Sequence, residues 1–305
     1  MLDVRHLRLL RDLRVHGTVT ATADALHLSG PAVSQQLAAL EREAGVPLLE
    51  RHGRTLRLTA AGRLLVDHAE VILGHLATVD ADLRALRCGG RGLARVAVFP
   101  SAARVLMPRV WRALARDDAA SPDLRIAECE PGPATESLRA GDADLAVVHA
   151  YSLVPRDLPN GCERHHLMDE PVLLAVSPDR AARHGLAPGQ DADLAVFAED
   201  DWLLPGPDTS CHELGMRACG AAGFVPHPVA VASDFSVLTA LVAADAGVAL
   251  IPRMALPADV GDVSLHPLDR PVTRTVSALT RTGDARLPHL RLVLDTLRRV
   301  GTEAG

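Results

Sequence analysis

Lysine is absent from this 305-residue chain: all 32 of its Lys+Arg positions are arginine. That bias, with abundant Ala and Leu, points to a GC-rich bacterial genome and not to a function. Cysteine is sparse, at Cys88, Cys129, Cys162, Cys211 and Cys219 with no Cys-x-x-Cys pair. A disulfide-stapled secreted scaffold is therefore excluded, and a reducing cytosol suits the pattern. Long apolar runs are missing as well. The N-terminus is interrupted by Asp3, Arg5, Arg8 and Arg11, and the most apolar later stretch, 237–251, is short and carries Asp245. Neither a secretion signal nor a membrane span is expected, which leaves a cytoplasmic protein. Catalytic signatures are missing too: the chain has no GxSxG elbow, no glycine-rich phosphate loop, no HExxH, and no nucleophile set beside a base. An enzyme is thus disfavoured, and a solute-binding protein would need an export signal.

At 305 residues the chain has room for two or three domains of ordinary size. A net charge of −6 argues, taken alone, against a nucleic-acid partner, because binding to a polyanion is dominated by positive contacts to phosphate. The charge is unevenly placed. Residues 1–62 hold eight arginines against six acids, a net of +2, and the remainder carries −8. A mildly basic module on an acidic body can bind DNA if it works in several copies with a few well-placed arginines.

The chain is organised around residues 20–62. Thr20 is expected to cap a helix that buries Ala23, Leu26 and Ala25; Ser29, Gly30 and Pro31 then break that helix and open a second. Val33, Leu37, Leu40 and Ala44 fall on one apolar stripe, leaving Ser34, Gln35, Ala38 and Arg42 on the opposite face. That face is small, polar and weakly cationic, so it can enter a DNA major groove and offer amide and hydroxyl groups to base edges. Past Gly45, Leu48, Leu49, Leu56 and Leu58 can pair as short strands around His52 to Thr55, projecting Arg51, Arg54 and Arg57 as a wing. Upstream, Val4, Leu7, Leu10 and Leu13 complete a three-helix unit. Downstream, Leu64, Leu65, Val71, Ile72, Leu76, Val79, Leu83 and Leu86 recur near a heptad interval, which predicts a long helix with a helical partner.

The runs LHLSGPAVSQQLAALE, AGVPLLER and LTAAG, in order and without gaps, resemble the winged helix-turn-helix of LysR-type transcriptional regulators. The resemblance is strong before residue 66 and looser afterwards. It implies DNA contacts at Thr20, Pro31, Ser34 and Gln35, with Arg51 and Arg54 on the wing. One departure stands out: the family usually has Gln where this chain has Gly30. The long helix would be the linker that pairs two chains, giving a homodimer or homotetramer on promoter DNA, with RNA polymerase as a further partner.

From Leu93 onward, strand-like runs alternate with helical ones, the rhythm of a parallel sheet with crossover helices. Helices are expected over 102–116, 134–140, 211–222, 236–246 and 288–300. The order resembles the family's effector-binding region, two lobes like those of a periplasmic solute-binding protein. The fold class expected is therefore a multi-domain α+β chain. Residues 1–60 form the winged helix-turn-helix and 61–90 the linker helix and hinge. Residues 91–305 form a two-lobed α/β effector domain, lobe 1 over about 91–168 and 270–305 and lobe 2 over about 169–269.

In such sheets a ligand lies beyond the carboxyl ends of strands, against helix N-termini. The effector-binding candidates are accordingly Ser101 and Ala102, Gly132 and Pro133, His149, Pro205, Thr209 and Ser210, and Phe235; the family often has Ser or Thr where Ser101 stands. Backbone N–H groups and hydroxyls would suit a carboxylate-bearing effector. No cofactor is expected. Cys211 and Cys219 lie where peroxide-sensing members keep their reactive pair, with His212 and Arg217 as local positive charge, so a redox-sensing regulator is the alternative. Eight helical positions separate the thiols by about 12 Å, which opposes a disulfide. Cys162, His165 and His166 are ligand types, but adjacent strand histidines face opposite ways, so no metal site is expected.

Overall fold

The computed structural model describes residues 2–52, 55–87, 92–115 and 121–304. Helix α1 (Val4–His16) starts at Asp3, whose carboxylate accepts from the Arg5 amide. The next cap is Thr18 and not Thr20: Thr18 Oγ1 accepts from the Ala21 amide at 3.1 Å and opens α2 (Val19–Ala25). Thr20 therefore lies one residue inside the helix, exposed, and Ala25 is exposed as well, whereas Thr22 and Ala23 face the core. Ser29 caps α3 (Gly30–Ala44), with Pro31 in its first turn and Gly45 at φ 71° closing it, a backbone conformation that glycine adopts without strain. Val33, Leu37 and Leu40 join Leu7, Leu9, Leu10, Leu13 and Ala23 in one core. The hairpin follows as β1 (Leu49–His52) and β2 (Thr55–Leu58), antiparallel, with Leu49 opposite Leu58.

The run LTAAG has a steric reason. A Cβ on Gly62 would sit 2.1 Å from the Leu48 carbonyl oxygen, so the helix that begins there can pass the wing only with glycine at this position. Thr59 holds the same junction, accepting from the Gly62 amide at 3.0 Å and donating to Pro47 O at 2.9 Å. Helix α4 (Ala60–Arg87) then runs 28 residues, roughly 42 Å at 1.5 Å per residue. Val66 and Ala69 close the N-terminal core, while Leu64, Ile72, Leu76, Val79 and Leu83 stay exposed. The hinge expected at 88–92 lies, apart from Gly92, outside the described residues.

Lobe 1 opens with β3 (Leu93–Val98), followed by two helices where one was expected, α5 (Pro100–Val105) and α6 (Met107–Ala115). Next come β4 (Asp123–Glu128), α7 (Pro131–Ala140) and β5 (Leu145–Tyr151). Strand β3 pairs in parallel with both β4 and β5. The long β6 (Cys162–Val176) crosses to lobe 2 and includes the strand on which His165 and His166 were expected. Lobe 2 holds α8 (Pro178–Arg183), β7 (Asp201–Leu204), α9 (Ser210–Ala221), β8 (His227–Val231), α10 (Phe235–Ala243), β9 (Ala249–Pro252) and β10 (Ser264–His266). Strand β11 (Thr273–Arg281) returns antiparallel between β5 and β6, and α11 (Pro288–Ala304) packs its Leu290, Val293, Leu294, Leu297 and Val300 into lobe 1.

The result is a mixed, curled seven-stranded sheet in the order β10-β6-β11-β5-β3-β4, with β9 on β6, while β7 and β8 form a second, parallel pair. The parallel rhythm thus holds within lobe 1 and for β7–β8. The two crossing strands are antiparallel because the chain leaves by one and comes back by the other.

Candidate functional site

The chain carries two candidate sites, one in its N-terminal unit and one in its C-terminal region. In the N-terminal unit the apolar stripe of α3 is pulled into the core, which turns Pro31, Ser34, Gln35, Ala38 and Arg42 outward. Thr20 is exposed on the preceding helix. Gly30, the first residue of α3, has no atom within 4 Å of where a Cβ would stand and no positive φ. Its presence is not demanded by the backbone. On the wing, Arg57 is exposed and pairs in register with Glu50, and the backbone of Arg51 lies in β1. Gly53 and Arg54 lie outside the described residues, and so does the side chain of Arg51. The exposed surface is a helix face of small polar groups beside a two-stranded ribbon, the shape that fits a major groove with a flanking backbone contact.

In the C-terminal region the predicted residues fall into three groups. Ser101 and His149 come together at the floor of the region between the lobes. His149 stands edge-on to Phe99 at 4.6 Å and to Tyr151 at 5.2 Å, and Ala102 is fully buried behind them. Sequence reasoning missed the group that organises this floor. Arg274 on β11 is buried and donates Nε to Glu170 Oε1 at 2.7 Å and Nη2 to Ser101 Oγ at 3.2 Å, while its guanidinium lies 5.2 Å from the Phe99 ring centre. Glu170 Oε2 accepts from the Met254 amide at 2.5 Å. Burial pushes the pKa of His149 well down, and nearby Arg274 and Arg156 add to the effect, so its imidazole is neutral.

The second group is the head of α9. Thr209 caps it by accepting from the His212 amide, Pro205 O accepts from His212 Nδ1 at 3.1 Å, and the Ser210 hydroxyl is buried with no partner among the described residues. Thr209 and Ser210 line an open cavity of about 680 Å³ together with Arg156, Pro207 and His212. Arg156 also lines a cavity of about 240 Å³ with His149, Tyr151, Arg164 and Thr275. The Arg156 guanidinium has no hydrogen-bond or ion-pair partner among the described residues. The third group is Gly132 and Pro133, in the first turn of α7 with open space before Gly132, and Phe235, which begins α10 against the lobe 2 core. Tyr151 OH and Cys211 Sγ, 2.9 Å apart, join the first group to the second across the lobes.

The cysteines are poorly placed for thiolate chemistry. Cys219 is fully buried and its thiol is pushed up to about 12 by burial, and burial likewise raises Cys211. The expected local cations are engaged elsewhere, His212 with Pro205 O and Arg217 with Glu213 and Leu153 O. His165 and His166 are separately bound, to Thr280 and Asp169. No group of metal-binding side chains occurs among the described residues, and no helix there is long and apolar enough to cross a membrane.

Residues 4–63 match the model of the bacterial regulatory helix-turn-helix protein, lysR family, and residues 88–302 match the LysR substrate binding domain. The chain belongs to the LysR family of transcriptional regulators. Members of this family are regulators and not enzymes. Similar proteins include the HTH-type transcriptional regulator TfdS of Cupriavidus pinatubonensis, 29% identical over 98% of both chains. The DNA-binding transcriptional dual regulator OxyR of Escherichia coli is 26% identical, over 92% of this chain and 90% of its own. Among solved structures, full-length CbnR in complex with its target DNA is 25% identical, with a TM-score of 0.57, over 98% of this chain and all of that one. The DNA-binding and effector-binding regions of a LysR-type regulator are thus both present.

Proposed function

We propose that the chain is a sequence-specific regulator that reads DNA with Thr20, Pro31, Ser34 and Gln35 and grips it with Arg51 and Arg54, under control of a small carboxylate held between the lobes. The working division is 1–60 for the DNA-reading unit, 61–90 for the linker and 91–305 for the effector domain, acting in the cytoplasm. The observation that carries the DNA reading is the exposed Ser34–Gln35 face on a helix whose other side is buried. A net of only +2 in residues 1–62 means that one copy grips weakly, so affinity must come from paired units. Surfaces for pairing exist. Leu64, Ile72, Leu76, Val79 and Leu83 leave an apolar stripe on α4, and the edge strands β4 and β8 expose Ile126 and Val229 with Val231. CbnR, which is similar in fold, was solved with its target DNA.

The carboxylate reading rests on Arg156 at the junction of two cavities, facing the head of α9; among the described residues neither its guanidinium nor the Ser210 hydroxyl has a hydrogen-bond partner. Retardation of the DNA upstream of the chain's own gene tests the first half, and no retardation with or without cell extract contradicts it. Thermal unfolding of the full chain against a panel of small carboxylates tests the second. A shift that is lost in Arg156→Met supports it, and no shift with any member of the panel contradicts it.

A further inference from the structure

Helix α4 presents three faces. Val66 and Ala69 close on the N-terminal core, and Leu64, Ile72, Leu76, Val79 and Leu83 are exposed. Asp67, Glu70, Val71 and Gly74 make the third, at the i, i+3, i+4, i+7 spacing of one helical side. This third face meets lobe 1 of the same chain. Asp67 Oδ1 lies 3.0 Å from Arg14 Nη1 and 3.5 Å from Arg139 Nη2. Glu70 Oε1 lies 3.4 Å from Arg14 Nη2, and its Oε2 lies 3.1 Å from Arg139 Nη2. Arg14 belongs to α1 of the DNA-reading unit, and Arg139 to the last turn of α7 in lobe 1.

The backbone fit continues past the charges. A Cβ on Gly74 would stand 3.3 Å from Arg281 Cδ and 3.4 Å from Arg139 O, and one on Gly161 would stand 3.0 Å from Val71 Cγ2. The Glu70 side chain is 14% exposed and that of Arg139 25%, so water screens this pair less than an ordinary surface bridge. Arg139 Nε is buried without a partner among the described residues. Lobe 1 therefore leaves this guanidinium incompletely bonded, and the carboxylates of α4 supply its ion pairs.

We propose that Arg14, Asp67, Glu70 and Arg139 form an interdomain latch: two carboxylates on the linker helix shared by one arginine from the DNA-reading unit and one from the effector domain. Lobe 1 cannot turn on the helix without leaving Asp67 and Glu70 to Arg14 alone. A rotation of lobe 1 must either carry the helix and the DNA-reading unit with it or break the Arg139 half of the quartet. The latch thus sets whether a change in the lobes is transmitted to DNA, whatever molecule drives it.

Hydrogen–deuterium exchange on the full-length chain tests this without DNA or effector, in the wild type, Arg139→Glu, Glu70→Arg and the double variant. Each single reversal is expected to speed exchange across 67–76 by at least about threefold, and the double exchange of charges to restore protection. Amides of Val33, Leu37 and Leu40 should be unchanged throughout, which reports an intact N-terminal core. Arg139→Met, which keeps the apolar stem, gives the same reading should a reversed charge prevent folding. Unchanged exchange in the Arg139 variants, or a double variant as fast as the singles, overturns the latch.

Discussion

Arg274 and Ser101, 173 positions apart in sequence, are joined by a hydrogen bond of 3.2 Å at the floor between the lobes. The bond ties a crossing strand to the first helix of lobe 1, and Glu170 on the other crossing strand supplies the countercharge. The two partners differ in what their loss exposes. Arg274→Met strands a buried carboxylate and should destabilise the effector domain by about 3 to 5 kcal/mol, whereas Ser101→Ala removes one neutral partner and should cost about 1 kcal/mol. Chemical denaturation of both variants checks the ranking; equal losses would mean that the ion pair is screened.

His149 gives a pH signature. Its folded pKa is depressed by burial, so the unfolded chain binds this proton more readily than the folded one. Stability from this group is complete above the unfolded value near 6.5 and falls as pH drops below it, by up to about 1.4 kcal/mol per pH unit. His149→Gln should flatten the stability curve below pH 6.5, as read by thermal unfolding across pH. A curve of unchanged slope would show that His149 does not carry it.

Two glycines in the DNA-reading unit should behave oppositely. Gly62→Ala forces a methyl against the Leu48 carbonyl and should cost about 2 kcal/mol or more, with loss of DNA binding. Gly30→Ala meets open space and should be neutral or stabilising by about 0.5 to 1 kcal/mol. Since Gly30→Gln also fits, it should change operator preference without unfolding the unit. Circular dichroism melts separate these outcomes.

Peroxide should leave Cys211 and Cys219 unbridged. Both thiols are raised by burial, and α9 holds them about 12 Å apart along its axis. Counting free thiols after peroxide treatment, with DNA retardation alongside, checks this. A paired loss of two thiols together with altered binding would favour the redox alternative.

Much of the DNA-reading unit was legible because its elements are written locally: the stripe of Val33, Leu37 and Leu40, the Ser29 cap, and the glycine of LTAAG. The cap at Thr18 was misread as Thr20 because both are threonines at the edge of one apolar pattern, and only the backbone shows which accepts the Ala21 amide. In the effector domain, strand ends pointed to Ser101, His149, Thr209 and Ser210. Arg274 and Glu170 were invisible by that rule, since they lie inside crossing strands and meet only through tertiary pairing 104 residues apart. Arg156 carries no local signal at all. The strand carrying His165 and His166 was legible, but not its continuation to Val176 as one β6, which pairing with β11 and then β9 makes. The single helix expected over 102–116 breaks at Leu106, where no glycine marks the bend.

The most direct measurement is a binding titration of the full-length chain, Gln35→Ala and Arg54→Ala on operator DNA carrying single base-pair changes, at several salt concentrations. Gln35→Ala should lose about 1 to 3 kcal/mol at one base pair and relax discrimination there, while Arg54→Ala should weaken all sites evenly and reduce the salt slope by about one. The reverse assignment, with base-specific loss at Arg54 and uniform loss at Gln35, would mean that a different face of the unit lies in the groove.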